Sequence, residues 1–241
     1  MPTSTTQSHM LASGETAEIT RIDGRGHKYV VNGGSAMPSV TGMLGHVEAG
    51  LFGIGSGWAT KQIRLAGGDL DAPKRVGDKA VADGNEIHDA IESYIKSGTV
   101  NEDNAGFISW LNTVGNHYDW LAGEAFVFHP LSLYGGTLDA ISGGNEPILW
   151  DWKTKDPESY WKYGGSLKDH AQVASYIAAL DAMNSEFRFI RQAKIAYIMR
   201  DGSGTDVVDV DLEVGRRLFA GSRDMYLMTA LWKDHTTPGV R

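Results

Sequence analysis

The stretch from Ile148 to Thr154 constrains this chain most. Leu149-Trp150-Asp151-Trp152-Lys153-Thr154 reads as a short buried strand that carries an acid and a lysine two residues apart. Side chains alternate along a strand, so Asp151 and Lys153 project from one face. Setting a carboxylate and an ammonium side by side on a mostly apolar strand is costly unless they serve something. A divalent metal held by the carboxylate, with the lysine beside the water that the metal activates, accounts for both. An Asp-x-Lys triplet alone arises readily by chance, so its surroundings must decide.

Those surroundings change period in the middle of the chain. Glu124 to Phe128 alternates as a strand, and Tyr134 to Ile141 is a second, interrupted by Gly135-Gly136. Asn145 and Pro147 turn into the third, Ile148 to Thr154, which predicts an antiparallel meander. Helical spacing predicts helices before it, over Pro73–Ile95 and Ala105–Leu121. The first has an apolar stripe of Val81, Ile87, Ile91, Tyr94 and Ile95. After it come a loop without period, Lys155–Lys168, and a helix over Asp169–Met183 with a core face of Val173, Ile177 and Leu180. Strands at Arg188–Met199 and Asp206–Val210 and a closing helix over Leu212–Trp232 complete the pattern. The expected class is α/β, with a central mixed sheet flanked by helices in the order αβββαβ.

Towards the N-terminus, residues 1–18 read as disordered and Glu18–Val31 as a hairpin. A short helix starts at Pro38 or Ser39, Gly-rich residues 50–57 form a connector, and Trp58–Leu65 is helical. Residues 19–241 are thus expected to form a single domain. It has a helical extension over about 38–121 and a core over about 122–210. Trp58, Trp110 and Trp120 read as core residues.

Composition limits the chemistry. The chain has 241 residues and no Cys, which removes disulfides, iron–sulfur clusters and cysteine nucleophiles. No run of about 18 apolar residues offers a membrane span. The N-terminus lacks the basic start and apolar run of a secretory signal, so a cytoplasmic location is expected. A net charge of −8 counts against broad nucleic-acid binding, so any such site must be a local basic patch. The Walker A pattern is absent, which argues against a built-in ATP-driven motor.

Four polar features stand where they can converge. Asp139 lies near the end of the second strand, and a short hairpin would place it beside Asp151. Two adjacent carboxylates repel unless a cation lies between them, and oxygen donors suit Mg²⁺ or Mn²⁺. His88, alone, reads as a core histidine beside an apolar stripe; as a ligand it would tilt the preference toward Mn²⁺. Gln172 and Tyr176, four apart on a helix, face one way, off the core face. Glu124 reads as a strand start without chemical duty.

The order Gly84-x3-His88, Gly136-x2-Asp139, Asp151-x-Lys153 and Gln172-x3-Tyr176 resembles the RecB-like branch of the PD-(D/E)XK nucleases. Within it the chain looks most like phage relatives of the mitochondrial genome maintenance exonuclease. Pro38-Ser39-Val40-Thr41 and the Asp-Trp-Lys-Thr form of the central motif support that closer likeness. The resemblance spans roughly residues 28–200. It departs from the wider superfamily in having Asp at 151 where Glu is commoner, and in lacking the cysteines that bind an iron–sulfur cluster in some relatives.

The resemblance implies a restriction-endonuclease-like core and a metal-dependent DNA exonuclease. The expected substrate is single-stranded DNA or DNA ends, in phage replication, recombination or DNA processing, in the host cytoplasm if phage-encoded. A recombination or replication protein is an expected partner. By the same resemblance His88, Asp139, Asp151 and the backbone carbonyl of Trp152 would bind Mg²⁺ or Mn²⁺. Lys153 would position and activate the attacking water and offset transition-state charge. Gln172 and Tyr176 would hold the scissile region or orient the lysine. The segment after the central strand interleaves aromatics with lysines, a pattern suited to a single strand. Lys155, Tyr160, Trp161, Lys162 and Lys168 are therefore candidate strand contacts, and Arg188, Arg191, Lys194 and Arg200 a second positive stripe. The competing readings are a noncatalytic nucleic-acid-binding or assembly protein on the same fold, and a structure-selective endonuclease.

Overall fold

The computed structural model describes residues 3–24, 27–51 and 56–236. The strands among these residues form two sheets. β1 (Ser4–Met10), β2 (Thr16–Ile22), β3 (Lys28–Val31) and β4 (Met37–Pro38) make an antiparallel sheet in chain order. The helices α1 (Val40–Leu51), α2 (Ser56–Leu65), α3 (Ala72–Ser97) and α4 (Ala105–Thr113) follow. The central sheet holds β5 (Trp120–His129), β6 (Tyr134–Ser142), β7 (Ile148–Lys155), β8 (Gln192–Met199) and β9 (Thr205–Asp209), adjacent in that order.

β5, β6 and β7 pair antiparallel, as a meander with short turns must. The chain then crosses over through α5 (Pro157–Tyr163) and α6 (Leu167–Ala182), and β8 returns parallel to β7. β9 pairs antiparallel with β8, and α7 (Leu212–Thr236) closes the order. The protein is therefore a mixed α/β structure with a five-stranded mixed sheet flanked by helices.

Alternation on β7 builds two cores. Leu149 joins the cluster that includes Val173, Ile177 and Leu180 of α6. Trp150 and Trp152 join Ile87, Ile91, Phe107 and Trp110 of α3 and α4. That second cluster is dense in aromatics, with Trp110 meeting Trp152 edge-on at 5.4 Å and Tyr118 meeting Trp150 at 4.8 Å. Such contacts add to the area term for large buried rings.

α6 is buried almost all round, Gln172 and Tyr176 included. This overturns the amphipathic reading that set those two off the core face. Small residues on several sides, among them Ala171, Ala174 and Ala179, let the sheet and α7 approach at once. Other expectations also give way. Residues 4–10, read as disordered, pair over seven positions with β2. The Gln7 side chain reaches the central sheet: its amide donates to the Glu124 carbonyl (2.7 Å) and accepts from the Phe126 N–H (2.8 Å). The helix expected to reach Leu121 stops at Thr113, gives one 3-10 turn at Gly115–His117, and yields to β5. The loop after β7 contains α5, capped by the Asp156 side chain on the Ser159 N–H, with Pro157 in its first turn. Ser39 caps α1 through the Gly42 N–H. Val81 is exposed, and so is Trp58, which is not a core residue. Of the Gly-rich connector expected at 50–57, residues 50–51 belong to α1 and 56–57 to α2, and 52–55 lie outside the described residues. Among the described residues no helix is long and apolar enough to cross a membrane.

Candidate functional site

The site forms where β6 and β7 part. Their pairing ends at Ala140–Trp150, so Asp139 and Asp151 stand level one step beyond the ladder. The Asp139 carboxylate takes over from the missing strand partner and accepts the Trp152 N–H at 2.6 Å. A buried N–H left without a partner would be costly, so Asp139 is held by the backbone it satisfies.

Asp151 is 1% exposed, and its Oδ2 has no hydrogen-bond partner among the described residues; its neighbour there is the Lys153 ammonium, an ion pair. Its Oδ1 accepts from the Gln172 amide at 3.1 Å, and the same nitrogen donates to the Tyr176 hydroxyl at 3.0 Å. Gln172 therefore spends its donors on orienting Asp151 and engaging Tyr176. Burial pushes the Asp139 carboxyl up to about 6 and the Asp151 carboxyl up to about 7; Lys153 opposes both shifts. Burial would lower the Lys153 ammonium, but Asp151 and Asp139 outweigh it and hold it above its ordinary value. Burial drives the Tyr176 hydroxyl far up, so it stays protonated.

α3 brings His88 to this end of the sheet. A Cβ at Gly84 would lie 2.8 Å from the Thr154 hydroxyl, so only glycine lets the helix rest against β7 here. His88 follows four residues later on the same helical face. Burial lowers its imidazole, the Lys153 charge lowers it further, and Asp151 acts the other way. Gly136 plays the matching part on β6: a Cβ there would meet the Tyr176 ring at 2.3 Å.

A cleft of about 410 Å³ is lined by His88, Glu124, Thr154 and Arg200 among others; it meets this group of residues through His88 and Glu124, and Asp139, Asp151 and Lys153 are not in its lining. Glu124 is the residue that sequence reasoning passed over. The pairs Gly123–Ala140 and Ala125–Leu138 set it level with Asp139, so three acids lie in a row across β5, β6 and β7. Its φ of 39° is a left-handed conformation, and burial and then Glu92 raise its carboxyl. The register of two hairpins is the signal that could have found it.

The candidate strand contacts divide. Trp161 is 62% exposed, and Lys162 lies 5.1 Å over the exposed Tyr163 ring. Tyr160 instead packs into the core against Tyr197 at 4.9 Å and donates its hydroxyl to Asp206 at 2.6 Å, so it offers no free face for a base. Lys155 pairs with Asp169 at 3.5 Å and Lys168 with Glu48 at 2.5 Å. The second positive stripe is likewise broken up by Arg191–Asp181 at 3.1 Å and Lys194–Asp209 at 2.5 Å.

Two adjacent carboxylates, one with a buried oxygen that only an ammonium attends, fit a hard divalent cation by donor chemistry. As they stand, no three His, Asp or Glu side chains among the described residues are gathered tightly enough to hold one. No family model matches the chain, and no curated protein is significantly similar to it. Among solved structures it is similar to the crystal structure of SSO0001, with a TM-score of 0.36 and 14% identity over 69% of this chain and 71% of that one. A likeness of that size carries no argument about activity.

Proposed function

We propose that this protein is a metal-dependent DNA exonuclease with a restriction-endonuclease-like core of the RecB-like kind. The observation that carries the reading is the meeting of Asp139, Asp151 and Lys153 where β6 and β7 part, with Gln172 bonded to Asp151. Binding alone does not call for two carboxylates level on neighbouring strands with a lysine against one of them.

Asp139 and Asp151 would hold Mg²⁺ or Mn²⁺, with His88 and the Trp152 carbonyl as further donors. The bound cation would supply Lewis acidity toward the phosphate and a more acidic water. Lys153 would then leave its contact with Asp151, place the attacking water and offset the charge that builds on the phosphorane-like oxygens. The new bond joins the water oxygen to phosphorus, the bond from phosphorus to the 3′ oxygen breaks, and protons pass to and from solvent. Gln172 would keep Asp151 in one orientation throughout. Gln172→Glu sets a carboxylate against Asp151 and is expected to lower the initial cleavage rate about 10–100-fold, as loss of a ligand's orienting partner does. A rate within a factor of about two of wild type would show that Gln172 does not orient this acid.

End-labelled linear and closed circular single-stranded DNA, each with Mg²⁺ or Mn²⁺, test the proposal. Linear DNA is expected to be degraded and circular DNA spared, with EDTA stopping the reaction. Cleavage of the circle favours an endonuclease. The noncatalytic binding reading wins if no linear or circular DNA or RNA is cut with either metal.

A further inference from the structure

Arg200 is set apart from the chain's other cations near the site. Lys153 is against Asp151, Lys155 against Asp169, Lys168 against Glu48, Arg191 against Asp181 and Lys194 against Asp209. Arg188 lies over the Phe189 ring at 4.1 Å and donates to the Ser185 carbonyl. The half-buried Arg200 side chain has no ion pair or hydrogen bond to any described residue, yet it lines the cleft that His88 also lines.

Its backbone is fixed. Arg200 follows β8 directly, and its N–H donates to the Lys155 carbonyl at 3.0 Å, carrying the parallel β7–β8 pairing one step further. The turn behind it closes through Gly202 N–H to Met199 O at 2.9 Å, with Gly202 at φ 78°. With its backbone fixed at the strand ends and its five donors unspent on any described residue, the guanidinium suits an oxyanion. The cleft's size falls in the range of about 300–1,000 Å³ that suits a nucleotide-sized ligand. Glu124 and Asp89 stand in the same lining. An anion there must be drawn by Arg200 specifically, not by a general positive field.

We propose that Arg200 binds one phosphate of a single DNA strand in this cleft, next to the phosphate that is cut. The inference rests on the nuclease reading. A methyl at Gly204, on the same turn as Arg200, would touch the exposed Trp161 ring at 3.8 Å. The turn that carries Arg200 thus lies beside an exposed ring of the kind on which a base stacks.

The test compares wild type with Arg200→Ala, Arg200→Gln and Arg200→Lys in the full chain. Binding of fluorescein-labelled oligothymidylate is measured in EDTA across a sodium chloride series, and cleavage of the same strand with Mn²⁺. Removing the charge is expected to lower the slope of log K against log salt by about 0.7, one phosphate contact on a single strand. KM should rise roughly tenfold while kcat falls much less, and lysine should restore most of the salt slope but less of the affinity. Arg200→Gln keeps length and polarity, so its slope decides the matter if the alanine variant folds poorly. An unchanged slope and KM in a protein that still cleaves overturns the Arg200 proposal and leaves the nuclease reading standing. If wild type cleaves nothing, the nuclease reading falls, and an unchanged slope would then remove the Arg200 contact as well.

Discussion

Asp151→Asn is expected to lower metal-dependent cleavage by about 10³-fold or more while leaving the fold as stable as before, or more so. The two halves of that expectation have one cause. Burial raises the Asp151 carboxyl to about 7, so the folded protein bears a cost for the charge that the proposed chemistry uses. Asparagine keeps the shape and an oxygen for the Gln172 amide, and removes that cost. Lys153 loses its direct partner but keeps the field of Asp139. Lys153→Ala should be comparably inactive, because no other described lysine lies against Asp151. Thermal melting supplies the control. Mn²⁺ at about a hundred times its dissociation constant should stabilise wild type by about 2.7 kcal/mol and Asp151→Asn by far less. Cleavage by Asp151→Asn within about tenfold of wild type would remove Asp151 from the chemistry.

Trp150→Ala is expected to destabilise the protein by about 3–5 kcal/mol, lowering the melting midpoint on the order of 10 °C. Trp150 is fully buried between Tyr118, Trp120 and Trp152. Its ring N–H donates to the Ser142 hydroxyl at 2.9 Å, so even Trp150→Phe should cost about 1–3 kcal/mol by leaving that buried serine short of a partner. Trp110 offers the contrast inside the same cluster. Its ring N–H is buried and has no partner among the described residues. Trp110→Phe therefore gives up volume but no hydrogen bond, and relieves an unsatisfied donor. Denaturant melts of the two phenylalanine variants check the pair: Trp150→Phe should be the less stable. The reverse order would mean that ring volume, not the Ser142 bond, governs this cluster.

The central sheet was legible because its signals are local. Period-two alternation marked β5 to β7, and the spacing from Asp139 to Asp151 suited a hairpin that sets them level. The Gly84-to-His88 spacing was legible as a helical pair, and the close approach to Thr154 supplies its reason. What failed depends on distant partners. Tyr160 looked like its exposed neighbours Trp161 and Tyr163 until Asp206 and Tyr197 claimed it. Gln172 was expected to meet substrate or lysine, but its partner is the acid 21 residues earlier. The Ser/Thr-rich start looked too polar to order, yet a polar strand suffices where another strand supplies the pairing. α5 did carry a local sign in Asp156-Pro157, masked by the aromatic run that follows.

That polar first strand has a further consequence through Gln7. β5 is an outer strand of the central sheet, and its Glu124 carbonyl and Phe126 N–H point away from β6. Left bare, such groups are a template on which a second molecule can add a strand. Gln7 occupies both with one side-chain amide, mimicking a peptide unit without being one. The N-terminal strand thus closes, through Gln7, part of the open edge on which a second copy could otherwise add a strand.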